Sequence, residues 1–411
     1  MTLPAVLLVH NRYQQAGGED VVFEAEARLL ADRGHRVAQF VVDNAAIPVD
    51  RSPIQAIRLA VETTWSFRAA ARMRRMIQRF RPDVVHAHNT FPLISPSIHA
   101  AAHGPGIGTV QTLHNYRLIC PAATLFRDGH VCHDCIGQAI PWPSVRHECY
   151  RDSATQSLAV ATMLTIHRAR GTWTRDVDVI VVLTEFARQQ LVAGGLPPDR
   201  LVVKPNFLAP DPGPGAGRGD QFLFVGRLDA LKGIGTLLEA WGSLAIPLRI
   251  VGDGPLRPEV EAAAAGSPHI TYLGRLDRQG VIDELRTARA IIFPSIWYEG
   301  LPMTIIEAFA CATPVIASNL GGMSEMISDG STGLLADPGD AVRLAELVRW
   351  SSGNTAALDA IGAAGRSRYI KLYTADRHYD AVMAIYSRAR SRVGGEGNDG
   401  NASGFDRAWR P

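Results

Sequence analysis

The feature that most constrains the fold is an alternation of short β-branched runs with helical stretches, which occurs in two successive series. The first series predicts strands at 5–9, 36–42, 84–87, 108–113 and 179–183, and the second at 221–225, 248–251, 270–273, 290–293 and 314–317. Strands that alternate with helices pair in parallel and are covered by helices on both faces. We therefore predict an α/β protein with two doubly wound, Rossmann-like parallel sheets.

The segment between the two series, residues 208–219, is so rich in Pro and Gly that it sustains neither a helix nor a central strand. A chain of 411 residues also exceeds the length that one hydrophobic core usually organises. We predict a first domain over residues 1–206, a second over 207–375, a C-terminal helix over 376–392 and a disordered tail over 393–411.

The overall composition excludes several classes of protein. A formal net charge of +2, with 46% hydrophobic and 20% charged residues, indicates a globular chain and no nucleic-acid partner. The longest apolar runs fall far short of the roughly 20 residues that a membrane-spanning helix needs. The first residues lack a basic leader, so no secretion signal is recognised and a cytoplasmic location is expected.

Residues 66–81 are predicted to form a basic amphipathic helix. Its arginines are Arg68, Arg72, Arg74, Arg75, Arg79 and Arg81. Such a helix either lies on anionic lipid, as a peripheral contact at the cytoplasmic face of a membrane, or covers a sheet with its polar side in solvent. Both interpretations remain open from the sequence.

The loop after the predicted strand 290–293 is the most informative candidate site, because open parallel sheets bind ligands at the carboxyl ends of their strands. Pro302 stands where a helix would begin, and Gly300 allows a ligand to approach the backbone closely. The free amides and dipole of that helix end favour an anion such as a diphosphate. Glu299 precedes the helix and Glu307 lies inside it, so they are expected to contact different parts of one elongated ligand.

A second strand-end loop, residues 226–233, contains two cations, Arg227 and Lys232, near another predicted helix start. Two cations together with free amides neutralise charge that develops on a departing diphosphate. No metal ion is then required for catalysis.

Asp176 and Asp178 match the Asp-x-Asp pattern of metal-dependent transferases. They precede a strand, at the end of a sheet where ligands do not bind. We interpret them as a turn that enters the strand.

Gly17 and Gly18 follow the first strand and precede a predicted helix over 19–31. A glycine pair permits close approach of a ligand to the backbone, although a plain turn that starts a helix has the same sequence.

Together these motifs resemble those of family 4 of the retaining glycosyltransferases, also called group 1. The matching motifs occur in the family's order: Gly226-Arg-Leu-x3-Lys-Gly233, Val251-Gly-Asp-Gly-Pro255, Glu299-x7-Glu307, and Gly321-Gly322 with Glu325. The resemblance covers most of the chain and implies the GT-B architecture, with two Rossmann-like domains facing a central cleft. It also implies transfer of a hexosyl unit from a nucleotide-diphosphate sugar to a glycan or lipid-linked acceptor, in polysaccharide or glycolipid biosynthesis.

The resemblance implies roles for individual residues. The first domain would bind the acceptor and the second the donor. Glu307 would contact the ribose and Glu299 the donor sugar. The other donor-binding positions would be Gly17, Gly18, Arg227, Lys232, Gly252, Gly300 and Leu301. A histidine at the end of an amino-domain strand lies beside the reacting sugar in similar enzymes, and His114 matches that position.

The same resemblance implies that the C-terminal helix returns to the first domain and that the cleft closes about a hinge near residues 206–207. It further implies attack from the front face of the sugar, with the leaving phosphate helping to remove the acceptor proton.

His88 is a second histidine candidate at a strand end. His86 and His88 alternate along the predicted strand, so both side chains point the same way. Either one is also explained as a packed core residue.

Four of the five cysteines, Cys120, Cys132, Cys135 and Cys149, lie in a segment of about residues 116–150 that the family outline does not require. The Cys132-His-Asp-Cys135 spacing is typical of a zinc knuckle, and four thiolates would complete a closed structural site. His130, His133 and His147 are alternative ligands. An iron–sulfur cluster and free thiols remain open, and we predict that the segment shapes acceptor specificity.

Two alternatives to a transferase remain. A sugar-nucleotide epimerase or hydrolase of the same architecture would bind the same donor without an acceptor. A catalytically inactive homologue would bind partners through the cysteine segment.

Overall fold

The computed structural model of the chain describes residues 3–14, 17–48 and 52–393. These residues separate into two compact units. Of the described residues, those within 3–127, 132–205 and 378–393 form unit 1, and residues 128–131 and 206–377 form unit 2. The predicted disordered tail, apart from Val393, lies outside the described residues.

Unit 1 contains a six-stranded parallel sheet with helices on both faces. Its strands, in sheet order, are β2 (Val37–Asp43), β1 (Val6–Arg12), β3 (Val84–Asn89), β4 (Gly108–Leu113), β7 (Val179–Val182) and β8 (Leu201–Val203). Its helices are α1 (Gly18–Asp32), α2 (Pro53–Thr64), α3 (Phe67–Phe80), α4 (Ser97–Ala102), α5 (Trp142–Arg146), α6 (Ala154–Arg170) and α7 (Glu185–Ala193). Most of α15 (Ala375–Val393) also belongs to this unit.

The alternation of side chains along β1 explains why this sheet has two cores. Val6 and Leu8 pack into a cluster with α1 and α15, whereas Leu7 and Val9 pack into a second cluster with α3 and α4. Successive residues of a strand point to opposite faces, so a continuous apolar run fits a sheet covered on both sides. Each fully buried Val or Leu contributes about 1.5–3 kcal/mol relative to an exposed one.

The segment between β4 and α6 carries the four clustered cysteines. It contains two short strands, β5 (Phe126–Arg127) and β6 (His130–Val131), and the short helix α5. Most of its remaining residues form turns.

Unit 2 repeats the architecture with its own six-stranded parallel sheet. Its strands, in sheet order, are β11 (Ile270–Gly274), β10 (Leu248–Val251), β9 (Phe222–Val225), β12 (Ala290–Phe293), β13 (Val315–Ser318) and β14 (Leu334–Ala336). Its helices are α8 (Ile234–Trp241), α9 (Arg257–Gly266), α10 (Arg278–Thr287), α11 (Met303–Ala310), α12 (Gly322–Met326), α13 (Ala341–Gly353) and α14 (Thr355–Leu372).

The predicted fold class is confirmed, because each unit is a doubly wound parallel sheet. All ten predicted strands are present, with ends that differ by up to three residues. The prediction missed β8 and β14, which are edge strands of three residues each and too short to show a periodic pattern. No helix of the described residues is long and apolar enough to cross a membrane.

Candidate active site

The loop that joins β12 to α11 gathers polar groups at the carboxyl end of the unit 2 sheet. Helix α11 begins at Met303 with Pro302 at its N-cap, close to where the sequence predicts a helix start. The first amides of a helix have no acceptor within the helix, so they are available to an anion. Gly300 and Leu301 lie immediately before this helix end, and Leu301 is buried.

The carboxylate of Glu299 is buried and held by three donors. Its Oε1 atom accepts from Lys232 Nζ and from Ser295 Oγ, both at 2.7 Å, and from Trp297 Nε1 at 2.9 Å. Glu299 therefore has a fixed orientation before any ligand binds. Ser295 and Trp297 are residues that the sequence analysis missed, although they stand in the same strand-end loop.

Lys232 links the second strand-end loop to the first. It ends a short 3-10 turn after β9, and Asp229 caps that turn by accepting from the Lys232 amide at 3.0 Å. Its ammonium also lies 5.3 Å from the centre of the Phe293 ring. The ammonium group has three donors and Glu299 takes one, so two remain for a ligand.

Arg227, the other predicted cation, is exposed and less constrained. Its Nε lies 3.2 Å from Asp229 Oδ2, and 56% of its side chain is accessible. A mobile guanidinium of this kind is free to reorient toward a bound diphosphate.

Two glycines allow the strand-end loops of unit 2 to meet. Gly252 has a φ of +148°, and a Cβ atom there would lie 1.8 Å from the carbonyl oxygen of Gly226. Gly233 has a φ of +72°, and a Cβ atom there would lie 1.9 Å from the carbonyl oxygen of Pro294. Neither position tolerates a side chain, so the glycines bring the three loops into contact.

Glu307 lies inside α11 and differs from Glu299 in its environment. Burial raises its pKa to about 7, and Arg278 opposes that effect. Its carboxylate accepts no hydrogen bond from any residue that the structure describes. A half-buried acceptor without a donor among the described residues is suited to the hydroxyls of a ligand.

Unit 1 contains a small pocket of about 40 Å³ at the carboxyl ends of β3 and β4. His114 and Asn115, which follow β4, line it together with His88 from β3. Trp173 and Phe91 supply aromatic surface. The predicted candidates His114 and His88 thus lie at one pocket.

Two titratable side chains of the pocket, Glu19 and Arg117, were not identified from the sequence. Glu19 Oε2 accepts from Tyr13 Oη at 3.0 Å, and burial raises the pKa of Glu19 to about 8. Arg117 lies 4.0 Å above the Phe91 ring and donates to the Pro121 carbonyl at 2.7 Å. Because Glu19 is mostly protonated at neutral pH, Arg117 is the charged group of this pocket.

Gly17 caps α1, and its amide donates to Asp20 Oδ2 at 2.8 Å. A Cβ atom at Gly17 would meet no atom within 4 Å, so space for a ligand exists beside it. Gly18 begins the helix. A role for either glycine in donor binding stays a prediction.

Beneath the unit 1 pocket lies a buried ionic cluster centred on Glu26 of α1. Its Oε1 lies 2.9 Å from His86 Nδ1 and 3.3 Å from His88 Nε2. Its Oε2 lies 2.8 Å from His378 Nε2 and 3.6 Å from Lys204 Nζ. As predicted, His86 and His88 point to the same side of their strand.

Glu26 is ionised within this cluster. Burial acts to raise its pKa, but His86, the Lys204 ammonium and the hydrogen bond from His378 outweigh that effect and hold the pKa well below its usual range. Burial lowers the pKa of His88 to about 3 and that of His378 to about 4. Both histidines are therefore neutral at pH 7, and Lys204 supplies the opposite charge.

The four cysteines of the predicted zinc site lie near one another, because Cys120, Cys149 and Cys132 each act to raise the pKa of Cys135. All four cysteines are free thiols, and Cys120 and Cys135 are buried. Burial, followed by the neighbouring Cys120, raises the pKa of Cys135 to about 12. Within the described ranges, the one set of three ligand atoms within 4.8 Å of one another belongs to Glu26, His86 and His88. Zinc binding by the cysteines stays a prediction.

The Asp-x-Asp match at the start of β7 has a structural role. Asp178 Oδ2 accepts from the Thr109 amide at 2.8 Å and from its hydroxyl at 2.7 Å. Asp176 is buried and pairs with Arg175 at 2.8 Å. The Asp178 carboxylate ties β4 to β7, as the interpretation of a turn that enters a strand requires.

Lowering the pH is expected to destabilise unit 1. The folded-state pKa values of His88 and His378 lie below the ordinary value of 6.5, so the unfolded chain binds more protons between about pH 4 and 6.5. Stability is complete above pH 6.5 and falls as the pH decreases through that window. The raised pKa of Glu19 gives the opposite pH dependence, so the test uses a Glu19→Gln background. In that background, urea unfolding followed by circular dichroism should give a free energy of unfolding about 2 kcal/mol lower at pH 5.5 than at pH 7.5. Equal values at the two pH values would contradict burial of two neutral histidines.

The two units match two parts of one protein family. Residues 17–206 match the family described as glycosyl transferase 4-like domain, and residues 219–352 match the family described as glycosyl transferases group 1. Together these matches cover more than half of the chain. The chain belongs to the group 1 glycosyltransferases.

Curated relatives are similar over part or most of the chain. D-rhamnosyltransferase WbpZ of Pseudomonas aeruginosa is 33% identical over 158 residues, which are 38% of this chain and 42% of that protein. O-antigen chain mannosyltransferase C of Escherichia coli is 32% identical over 174 residues, which are 41% of this chain and 47% of that protein. The chain thus spans less than half the length of these two relatives. The 2-deoxystreptamine glucosyltransferase of Streptomyces kanamyceticus is 25% identical over 84% of this chain and 89% of its own.

Solved structures show the same fold at low identity. Sucrose-phosphate synthase from Thermosynechococcus elongatus has a TM-score of 0.69 and 18% identity, covering 95% of this chain and all of that one. Anabaena HepE in complex with UDP-glucose has a TM-score of 0.62 and 14% identity, covering 95% of this chain and 99% of its own. These likenesses confirm the GT-B fold.

Proposed function

We propose that this protein is a retaining glycosyltransferase that moves a hexosyl unit from a nucleotide-diphosphate sugar to a glycan or lipid-linked acceptor. The observation that carries the proposal is the set of groups at the strand ends of unit 2, where Lys232, Glu299 and the start of α11 converge. Membership of the group 1 glycosyltransferases supports it. The setting we propose is polysaccharide or glycolipid biosynthesis, and relatives named as O-antigen and D-rhamnosyl transferases support that choice.

The donor site follows from the chemistry of these groups. The amides at the start of α11, with Lys232 and Arg227, bind the diphosphate. Glu307, whose carboxylate lacks a donor, accepts from the ribose hydroxyls. Glu299, already oriented by Ser295 and Trp297, accepts from hydroxyls of the transferred sugar. The complex of Anabaena HepE with UDP-glucose supports a nucleotide sugar as the class of ligand.

The acceptor site is the pocket of unit 1. Aromatic surface from Phe91 and Trp173 suits a sugar ring, and Arg117 suits a phosphate or a hydroxyl-rich head group. His114 accepts a hydrogen bond from a hydroxyl of the bound substrate.

The catalytic step that we propose needs no divalent cation. Lys232 and the helix amides stabilise negative charge as the bond between the anomeric carbon and the phosphate oxygen breaks. The acceptor oxygen attacks the same face of the sugar, and its proton passes to the leaving phosphate. Glu299 orients the sugar without forming a covalent intermediate.

A thermal-shift screen with UDP-, GDP- and ADP-sugars tests donor binding. A donor at about ten times its Kd adds about 1.4 kcal/mol to the stability of the folded state. That increment should raise Tm by about 3–5 °C. Glu307→Ala should abolish the shift, whereas Glu346→Ala, which removes an exposed carboxylate of α13, should retain it.

Products identify the reaction once a donor is found. Transfer to acceptor with the donor's anomeric configuration, read by NMR, supports a retaining transferase. Free sugar formed equally well without acceptor would instead indicate a hydrolase, and an isomerised nucleotide sugar would indicate an epimerase. If no nucleotide sugar raises Tm and none is turned over, the protein would instead be a catalytically inactive homologue.

A peripheral membrane contact and a structural zinc ion are two further parts of the proposal. Helix α3 turns Met73, Met76, Ile77 and Phe80 toward the sheet, so its apolar side is not free for lipid. Lipid contact would instead use Ile54 and Ile57 of α2, which are 79% and 67% exposed. Flotation with anionic vesicles tests the peripheral membrane contact. The zinc content of the purified protein tests the structural zinc ion.

A further inference from the structure

A chain of hydrogen bonds runs from the buried cluster of unit 1 to the wall of its pocket. Glu26 Oε1 lies 3.3 Å from His88 Nε2, and His88 Nδ1 lies 3.1 Å from His114 Nε2. The His88 and His114 rings stack with centroids 5.4 Å apart and planes 21° apart. Glu26 is fully buried and His88 is 3% exposed, whereas His114 lines the pocket.

The charge state of Glu26 determines where the protons of this chain reside. An ionised carboxylate only accepts, so His88 Nε2 must carry a proton and donate to Glu26 Oε1. His88 is neutral, so its Nδ1 bears a lone pair and accepts. His114 Nε2 must then carry the proton that bridges the two rings. Burial also lowers the pKa of His114 well below its usual range, so its Nδ1 is left as an acceptor.

A bound metal ion is a poorer explanation of the same cluster. The ligand atoms of Glu26, His86 and His88 lie within 4.8 Å of one another. However, Glu26 Oε2 already has the Lys204 ammonium at 3.6 Å and His378 Nε2 at 2.8 Å. A positive ammonium beside the carboxylate repels a divalent cation and supplies the charge that the cation would supply.

We propose that Glu26 and His88 are positioning residues that hold His114 in the tautomer with a proton on Nε2 and an acceptor at Nδ1. This inference rests on the proposed function, in which His114 accepts from a substrate hydroxyl. A neutral acceptor also avoids placing a positive imidazolium beside a sugar that becomes cationic in the transition state.

Glu26→Gln provides a sharp test because the surroundings determine how the amide is oriented. His378 and the Lys204 ammonium donate to the Oε2 side, so they hold the amide oxygen there. The amide nitrogen then faces both His86 Nδ1 and His88 Nε2, and its two protons allow it to donate to each. His88 must carry its proton on Nδ1, and His114 Nε2 becomes the acceptor, so the tautomer of His114 is inverted.

Long-range proton–nitrogen NMR of the full chain with labelled histidine reads the tautomer directly. Wild type should show His114 protonated on Nε2, and Glu26→Gln should show it protonated on Nδ1. His35→Gln is the matched control, because His35 is a buried histidine of unit 1 that contacts Pro4 and Tyr379 and not the chain of hydrogen bonds. It should leave the His114 signals unchanged.

Kinetics distinguish positioning from a general structural role. Glu26→Gln should lower kcat about 10- to 100-fold, as the loss of a partner that orients a functional histidine does elsewhere. The donor-induced thermal shift should be retained. In a His114→Ala background, Glu26→Gln should have no further effect on kcat.

An Nε2-protonated His114 in Glu26→Gln, or a loss of kcat that adds to that of His114→Ala, would overturn the inference. Should Glu26→Gln fail to fold, His88→Phe keeps the ring and removes the acceptor, and His114 should lose its fixed tautomer. A wild type that transfers no sugar but shows the expected tautomer would refute the proposed function and leave the positioning intact.

Discussion

Replacing Lys232 with alanine should lower kcat/KM for sugar transfer about a thousandfold. The Lys232 ammonium lies 2.7 Å from the buried Glu299 carboxylate. In our proposal it neutralises the charge of the departing diphosphate. Glu299 keeps its donors Ser295 and Trp297 in the variant, so the carboxylate stays in place. Initial rates of transfer with the donor found in the thermal-shift screen provide the measurement.

Arg257→Ala is the matched control for loss of one positive charge from unit 2. Arg257 pairs with Glu261 at 2.7 Å on the surface of α9, and surface pairs of this kind contribute little. The Arg257→Ala enzyme should transfer sugar at the same initial rate as wild type. A Lys232→Ala enzyme within tenfold of wild type would contradict the role that we assign to the ammonium.

Replacing Glu26 with alanine should lower the free energy of unfolding by about 3–5 kcal/mol. The carboxylate is the single negative group among His86, His88, His378 and Lys204. Its loss leaves the Lys204 ammonium, which is 1% exposed, without a counter-charge in the core. Urea unfolding at pH 7.5 measures the change.

Glu62→Ala is the control for this substitution, since Glu62 is a carboxylate of unit 1 that pairs at 3.4 Å with an exposed arginine on the same helix. It should change stability by less than about 0.5 kcal/mol. A loss below about 1 kcal/mol in Glu26→Ala would show that the cluster contributes little to the fold.

The fold was predictable because the sequence patterns that indicate its strands are formed by neighbouring residues of the chain. Runs such as Val6 to Val9 are apolar at every position, and the structure shows that such runs are covered on both faces. The edge strands β8 and β14 escaped prediction because three residues carry no periodicity and their pairing depends on a neighbouring strand. Propensity alone does not indicate an edge strand of that length.

The meeting of the loops that carry Lys232 and Glu299 was predictable for a similar reason, since both loops follow strands of one parallel sheet. The buried cluster was not, because its contacts join residues 352 positions apart, Glu26 and His378. One signal was present: Glu26 falls on the same face of α1 as Val22, Phe23 and Leu30. An acid on the apolar face of a helix requires a buried partner. No sequence pattern identified Lys204 or His378 as those partners.

The most direct test of the account is the rate of sugar transfer after brief treatment with a chelator. We expect turnover to persist in excess EDTA and not to increase with magnesium or manganese, because in the proposed mechanism Lys232, Arg227 and the amides of α11 stabilise the leaving diphosphate. Turnover that disappears with EDTA and returns only with magnesium or manganese would contradict this central claim.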